Sequence, residues 1–178
     1  MNAPDTSLLR LSAATMPLEQ LVLSCVLTEG QRIGAQPLLR GVDVADYAYL
    51  AGLCGTGFDL APMQSLAAEP FDEFDELFEL LWEYAEPQDA MGRWLACAIS
   101  TAAQRNNHLW QDMGLPSRRE LSAILNLRFP RLAAQNVNDM KWKKFFYRQL
   151  CQRSGISICK SPSCADCCDY AICFGPEH

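Results

Sequence analysis

Several things are missing from this sequence, and each absence removes a class of protein. No window approaches the about eighteen apolar residues that a membrane-spanning helix requires. Met1 to Thr15 carries no basic stretch followed by an apolar core, so no secretory signal is read and a cytoplasmic location is expected. Convincing period-two strands, internal repeats and low-complexity tracts are absent. There is no glycine-rich phosphate loop and no Ser/His/Asp or Cys/His triad, so the chain is read as a non-enzyme. Neither nucleic acid nor membrane is expected as a partner. Positive charge is scarce early in the chain: residues 1–104 hold 4 Lys/Arg against 15 Asp/Glu, whereas residues 105–178 hold 11 against 6. That polarity fits a C-terminal half facing an anion, or helix faces that happen to differ in sign.

Cysteine, by contrast, is abundant. Of nine, Cys159, Cys164, Cys167, Cys168 and Cys173 fall within fifteen residues. An odd total and a reducing cytosol both argue against a disulfide framework. No βαβ context surrounds Cys164 and Cys167, so a CXXC oxidoreductase is disfavoured. Clustered thiolates select zinc, copper(I) or an iron–sulfur cluster. Structural zinc sites usually separate two C-x2-4-C pairs on distinct knuckles. Here Cys159-x4-Cys164-x2-Cys167-x5-Cys173 lies in one short loop, and its opening is like the ferredoxin run C-x4-C-x2-C. The spacing therefore favours a cluster over zinc. A zinc-stapled interaction module and a ferredoxin-like electron carrier remain the alternatives. Cys25, Cys54 and Cys97 sit in apolar helical stretches and read as core residues. Cys151 ends a helix eight residues before Cys159 and is placed within reach of the same site.

The rest reads as mainly α: a single helical domain over 1–155, with a cysteine-rich metal-binding tail over 156–178 packed on it. Pro17 opens a helix that Gly30 is expected to end. Asp43 to Leu53 forms a second, capped by Asp43 and ended by Gly55, with Val44, Tyr47 and Leu50 on its inner face. In Phe71 to Tyr84 the stripe is Phe74, Leu77, Phe78, Leu81 and Trp82, and the acidic remainder is a solvated face or a partner surface. Pro87 breaks this run, and Asp89 to Gln104 forms a buried helix. Ser117 and Glu120 match a capping box opening a helix with Leu121, Ile124, Leu125 and Leu127, limited by Pro130. Asp139 to Gln152 forms the last helix, ended by Gly155, with Trp142, Phe145, Phe146 and Leu150 as its apolar stripe.

Three segments together resemble the NifQ family of nitrogen-fixation proteins. They are Asn107-His108-Leu109-Trp110-Gln111-Asp112-Met113-Gly114-Leu115, the run from Asp139 to Cys151, and the C-x4-C-x2-C-x5-C tail closing Cys173-Phe174-Gly175-Pro176-Glu177. The resemblance covers roughly residues 90–178. It implies an iron–sulfur and molybdenum carrier, in which molybdenum derived from molybdate travels in a cluster related to a three-iron type. It also implies as partners the nitrogenase iron protein and the cofactor scaffold complex. Cys159, Cys164, Cys167 and Cys173 match the family's cysteine motif position by position; Cys168 is an extra thiol in its last gap, read as a spare thiol or as an additional exchange ligand. A three-iron cuboid needs three protein thiolates, which leaves one thiolate or a nearby group for a fourth metal. His108 is a candidate further ligand, or a histidine that bonds the backbone. Arg118, Arg119, Lys141, Lys143, Lys144 and Arg148 are candidates for molybdate, although most of the lysines also fit as the solvated face of their helix.

Overall fold

The computed structural model describes residues 17–54, 73–155 and 173–177. Expectations placed on Gly55, Phe71, Cys159, Cys164, Cys167 and Cys168 lie outside the described residues. Within them the chain is mainly α-helical, without a strand. The helices are α1 (Leu18–Arg32), α2 (Val44–Cys54), α3 (Phe74–Tyr84), α4 (Ala90–Ala103), α5 (Leu109–Asp112), α6 (Arg118–Arg128), α7 (Pro130–Ala133) and α8 (Trp142–Ser154). No helix among the described residues is long and apolar enough to cross a membrane.

α4 is the central helix. Every residue from Trp94 to Ala103 is buried, and α3, α1 and α5 pack around it. Its alanines cost no side-chain entropy in a helix and let neighbouring helices approach closely. Asp89, predicted as its first residue, instead caps it by accepting the Gly92 N–H at 2.8 Å. The same carboxylate pairs with the nearly buried Arg128, which ties the start of α4 to the end of α6.

Some predicted boundaries and faces move. α1 does not stop at Gly30 but runs on to Arg32, because Gly30 is buried where Leu38 packs on it; a Cβ there would stand 3.2 Å from Leu38 Cδ2. In α2, Asp43 does cap, accepting the Asp46 N–H at 2.8 Å, and Tyr47 and Leu50 are buried. Val44 is 55% exposed, however, since it lies in the first turn before the helix meets α1. The buried stripe of α3 is Phe74, Leu77, Leu80 and Leu81, while Phe78 and Trp82 are half-buried at its edge. In α6, Leu127 faces solvent and the stem of Arg128 is buried in its stead. Pro130 does more than end α6: it starts the short α7, where a missing N–H costs nothing.

α8 begins three residues later than predicted. Asp139 adopts a left-handed backbone (φ 53°), so the helix cannot extend back through it. Asn136 holds the turn by bonding both the N–H (2.9 Å) and the carbonyl (2.8 Å) of Met140. Trp142, Phe145 and Phe146 are buried and mutually packed, with ring centroids 5.7–6.1 Å apart. Gly155 ends α8 in the left-handed conformation, as predicted.

Candidate metal centre

The last cysteine of the tail motif is anchored at the start of α8. The Lys141 N–H donates to the Cys173 carbonyl at 2.7 Å, and Cys173 and Phe174 pack against the core. Arg118 closes this corner. Its guanidinium forks onto the Asp139 carboxylate (2.9 and 3.1 Å), donates to the Met140 carbonyl (3.1 Å), and lies 6.0 Å from the Trp142 ring centroid. It also lies 3.7 Å from Glu177, whose side chain is only 5% exposed. A cation proposed for molybdate from sequence thus serves in the structure as a latch on the tail.

The other end of the motif segment leaves from the opposite end of α8. Residues 156–172 connect Gly155, after the last turn, to Cys173, beside the first. Ten residues separate Lys141 from Cys151, about 15 Å of helix rise. Cys151, half-buried, therefore lies at the end of α8 far from Cys173, and the structure does not bring these two thiols together. Among the described residues, no three of His, Cys, Asp and Glu converge as a metal site.

Cys54 and Cys97 are buried, and burial pushes each thiol up to about 11. Cys25 is half-buried, and its thiol is raised mainly by burial. A metal ligand must be a thiolate, so these three have surroundings suited to packing rather than ligation.

His108 stands just before α5, half-buried, with its backbone N–H donating to the Gln111 side chain at 3.2 Å. The segment it belongs to is held by an ion pair that sequence reasoning missed. Asp112, 3% exposed, accepts the Lys143 ammonium at 2.7 Å. It also accepts the Asn107 backbone N–H and side-chain amide, each at 3.1 Å. The Lys143 ammonium donates further to the carbonyls of Arg105 (2.8 Å) and Asn107 (2.6 Å), which uses its three donors. Arg105 in turn donates to the Asp112 carbonyl at 2.6 Å. Lys143 is thus a structural staple. Gly114 completes the segment: at φ +69° it sits where a Cβ would meet the Cys25 carbonyl at 2.8 Å, so the turn packs directly on α1. The signal for the staple was one acid in the first motif and a lysine in the second, which spacing alone cannot pair.

The other predicted cations separate. Arg119 and Lys144 are exposed, and Lys141 is half-buried beside Cys173. Arg148 borders a cleft of about 280 Å³ between the turn after α7 and α8, with Phe174 in its wall.

Comparison with known proteins covers most of this architecture. The NifQ family model matches residues 22–175, from α1 to the docked end of the tail. Protein NifQ of Rhodobacter capsulatus is 37% identical over 160 residues, which is 87% of this chain and 89% of that protein. Protein NifQ of Azotobacter vinelandii is 44% identical over 106 residues, 60% of this chain. The chain spans 54% of that protein's length, about half. Protein NifQ of Klebsiella pneumoniae is 42% identical over 101 residues, 50% of this chain and 60% of that protein. No solved structure matches. With a family match that runs from α1 through Cys173, and a relative aligned over nearly its whole length, the chain belongs to the NifQ family.

Proposed function

We propose that this chain is a molybdenum carrier, not an enzyme with turnover. It binds a molybdenum–iron–sulfur cluster of the three-iron-derived type as cargo through Cys159, Cys164, Cys167 and Cys173. It donates the molybdenum for the iron–molybdenum cofactor of nitrogenase, with the nitrogenase iron protein and the cofactor scaffold complex as partners in the cytoplasm. The observation that carries the reading is the compact four-cysteine motif in a chain whose family match extends to its last cysteine.

The donor set suits such cargo. Thiolates are soft ligands, and unequal spacing in one short loop suits a polynuclear cluster better than a single tetrahedral ion. The docked end of the loop supports it too. Cys173 lies against the N-terminal end of α8, a thirteen-residue helix whose unsatisfied N–H groups carry partial positive charge. Lys144, exposed in the first turn, adds a full charge to that end, whereas the charge of Lys143 is balanced by Asp112. A thiolate-bound cluster is anionic, and this end of the helix favours it.

Metal and acid-labile sulfide analysis of protein purified without oxygen tests the reading directly. Iron, sulfide and some molybdenum are expected, with visible absorbance that Cys164→Ala abolishes while far-UV circular dichroism stays unchanged. Zinc alone, in a colourless protein, would refute the carrier reading and leave a zinc-stapled interaction module.

A further inference from the structure

The Asp112–Lys143 pair sits on the first turn of α8, where stability alone gives little reason for it. Taking two charges out of water is costly, and replacing such a pair by apolar residues is often neutral for stability. The best-attested use of a buried polar pair is to fix one register. Lys143 is suited to that use, because a displaced ammonium would lose three acceptors at once: the Asp112 carboxylate at 2.7 Å and the carbonyls of Arg105 and Asn107 at 2.8 and 2.6 Å. The aromatic stripe of α8 is less selective, since Trp142, Phe145 and Phe146 bury apolar surface and that attraction has no direction.

The register matters at one point. Lys143 is the second residue of α8, and Lys141, its N-cap, donates its backbone N–H to the Cys173 carbonyl at 2.7 Å. That donor is fixed from two sides. On one, Arg118 of α6 holds Asp139 and the Met140 carbonyl. On the other, Lys143 is pinned to the segment before and within α5. Only the second anchor is buried: the Asp139 side chain is 76% exposed, that of Asp112 2%. From this arrangement we infer that Asp112, acting through Lys143, is a positioning residue for Cys173. It fixes the first turn of α8, so that the docked cysteine stands in one place relative to the helical body. The inference rests on the proposed function in taking Cys173 as a cluster ligand. A ligand group works only when held within about 0.5 Å of its productive position, and groups behind the ligands supply that restraint.

Two measurements on Asp112→Ala/Lys143→Met, which removes both charges of the pair, test it. The first is hydrogen exchange of the iron-free full-length chain, resolved to the Lys141 amide. That amide is expected to exchange about tenfold faster than in the parent, the worth of one net hydrogen bond. The second is the electron paramagnetic resonance spectrum of the iron-loaded protein, expected to shift at unchanged iron and sulfide content. Asp89→Ala weakens the start of α4 and its tie to α6 instead, and is expected to leave both readouts at the parent values. Should the double variant lose its fold, Asp112→Asn, which keeps the shape and removes the charge, carries the same expectation. Parent-like exchange at Lys141 in the folded variant would overturn the inference. So would an equal acceleration in Asp89→Ala, or an unchanged spectrum beside faster exchange. A colourless chain without sulfide would end the carrier reading instead, and the Lys141 exchange rates would still decide whether Asp112 positions Cys173.

Discussion

Single residues in this protein show how context assigns a charge its work. Lys143 and Lys144 are neighbours of identical chemistry, yet one is a staple and the other is solvated. The difference is Asp112, which is removed from water and must be compensated. Asp112→Ala leaves the Lys143 ammonium among carbonyls without its counter-charge. A loss of about 3 kcal/mol in urea unfolding is expected, and Asp112→Ala with Lys143→Met is expected to recover part of it. An unchanged unfolding midpoint in Asp112→Ala would contradict the staple. The buried thiols make a second residue-level prediction. Cys54 and Cys97 hold their protons to about pH 11 when folded, against an ordinary value of 9.0. The folded state therefore binds more protons than the unfolded chain in this window, and stability is fully present below pH 9 and falls as pH rises towards 11. Urea midpoints at pH 8, 9.5 and 11 are expected to decline, with a shallower decline in Cys54→Ala/Cys97→Ala.

At the scale of elements, ends matter more than interiors. The Asp89 carboxylate serves two helices, capping α4 and pairing Arg128 at the end of α6. Replacing it with Ala removes both, and a loss of about 2 kcal/mol is expected; Asp89→Asn keeps a capping oxygen and is expected to lose about half of that. Circular dichroism melts of the two variants would separate these contributions. The start of α8 is the other sensitive end. Arg118 holds Asp139, Met140 and Glu177 at once; its closest ionic partner, Asp139, is solvated and Glu177 lies 3.7 Å away, so global stability is expected to change by no more than about 1 kcal/mol in Arg118→Ala. The local effect is expected to be larger. The Lys141 amide, protected by the Cys173 carbonyl, is expected to exchange with solvent markedly faster in that variant. Equal protection would show that packing of Phe174 alone holds the tail.

Across the whole molecule, the two ends of α8 bracket the cysteine-rich tail. The described residues on either side of the segment bearing Cys159, Cys164 and Cys167 are Gly155, after the last turn of α8, and Cys173, whose carbonyl bonds the Lys141 N–H at its start. Occupancy of that motif is expected to raise the melting temperature, because a ligand bound only by the folded chain stabilises it by mass action. Iron chelation under argon is expected to lower the melting temperature without changing helical content. A melting temperature independent of iron would mean that the motif and the helical body are thermodynamically uncoupled.

The sequence by itself determined the helical class, the caps at Asp43 and Ser117, the stop at Gly155 and the aromatic stripe of α8. Each is a local matter: apolar spacing, a side-chain acceptor beside free N–H groups, or a backbone that only glycine adopts readily. The compact cysteine spacing was likewise legible, because ligand chemistry depends on residue type and loop length. Tertiary structure alone decided which charges are spent on the fold. Arg118 reaches a turn twenty-one residues away, and Lys143 reaches an acid thirty-one residues back. It also decided that α1 runs through Gly30, that Leu127 faces water, and that Cys151 and Cys173 lie at opposite ends of one helix. Pairing and burial depend on where distant segments meet, and local spacing carries no record of that meeting.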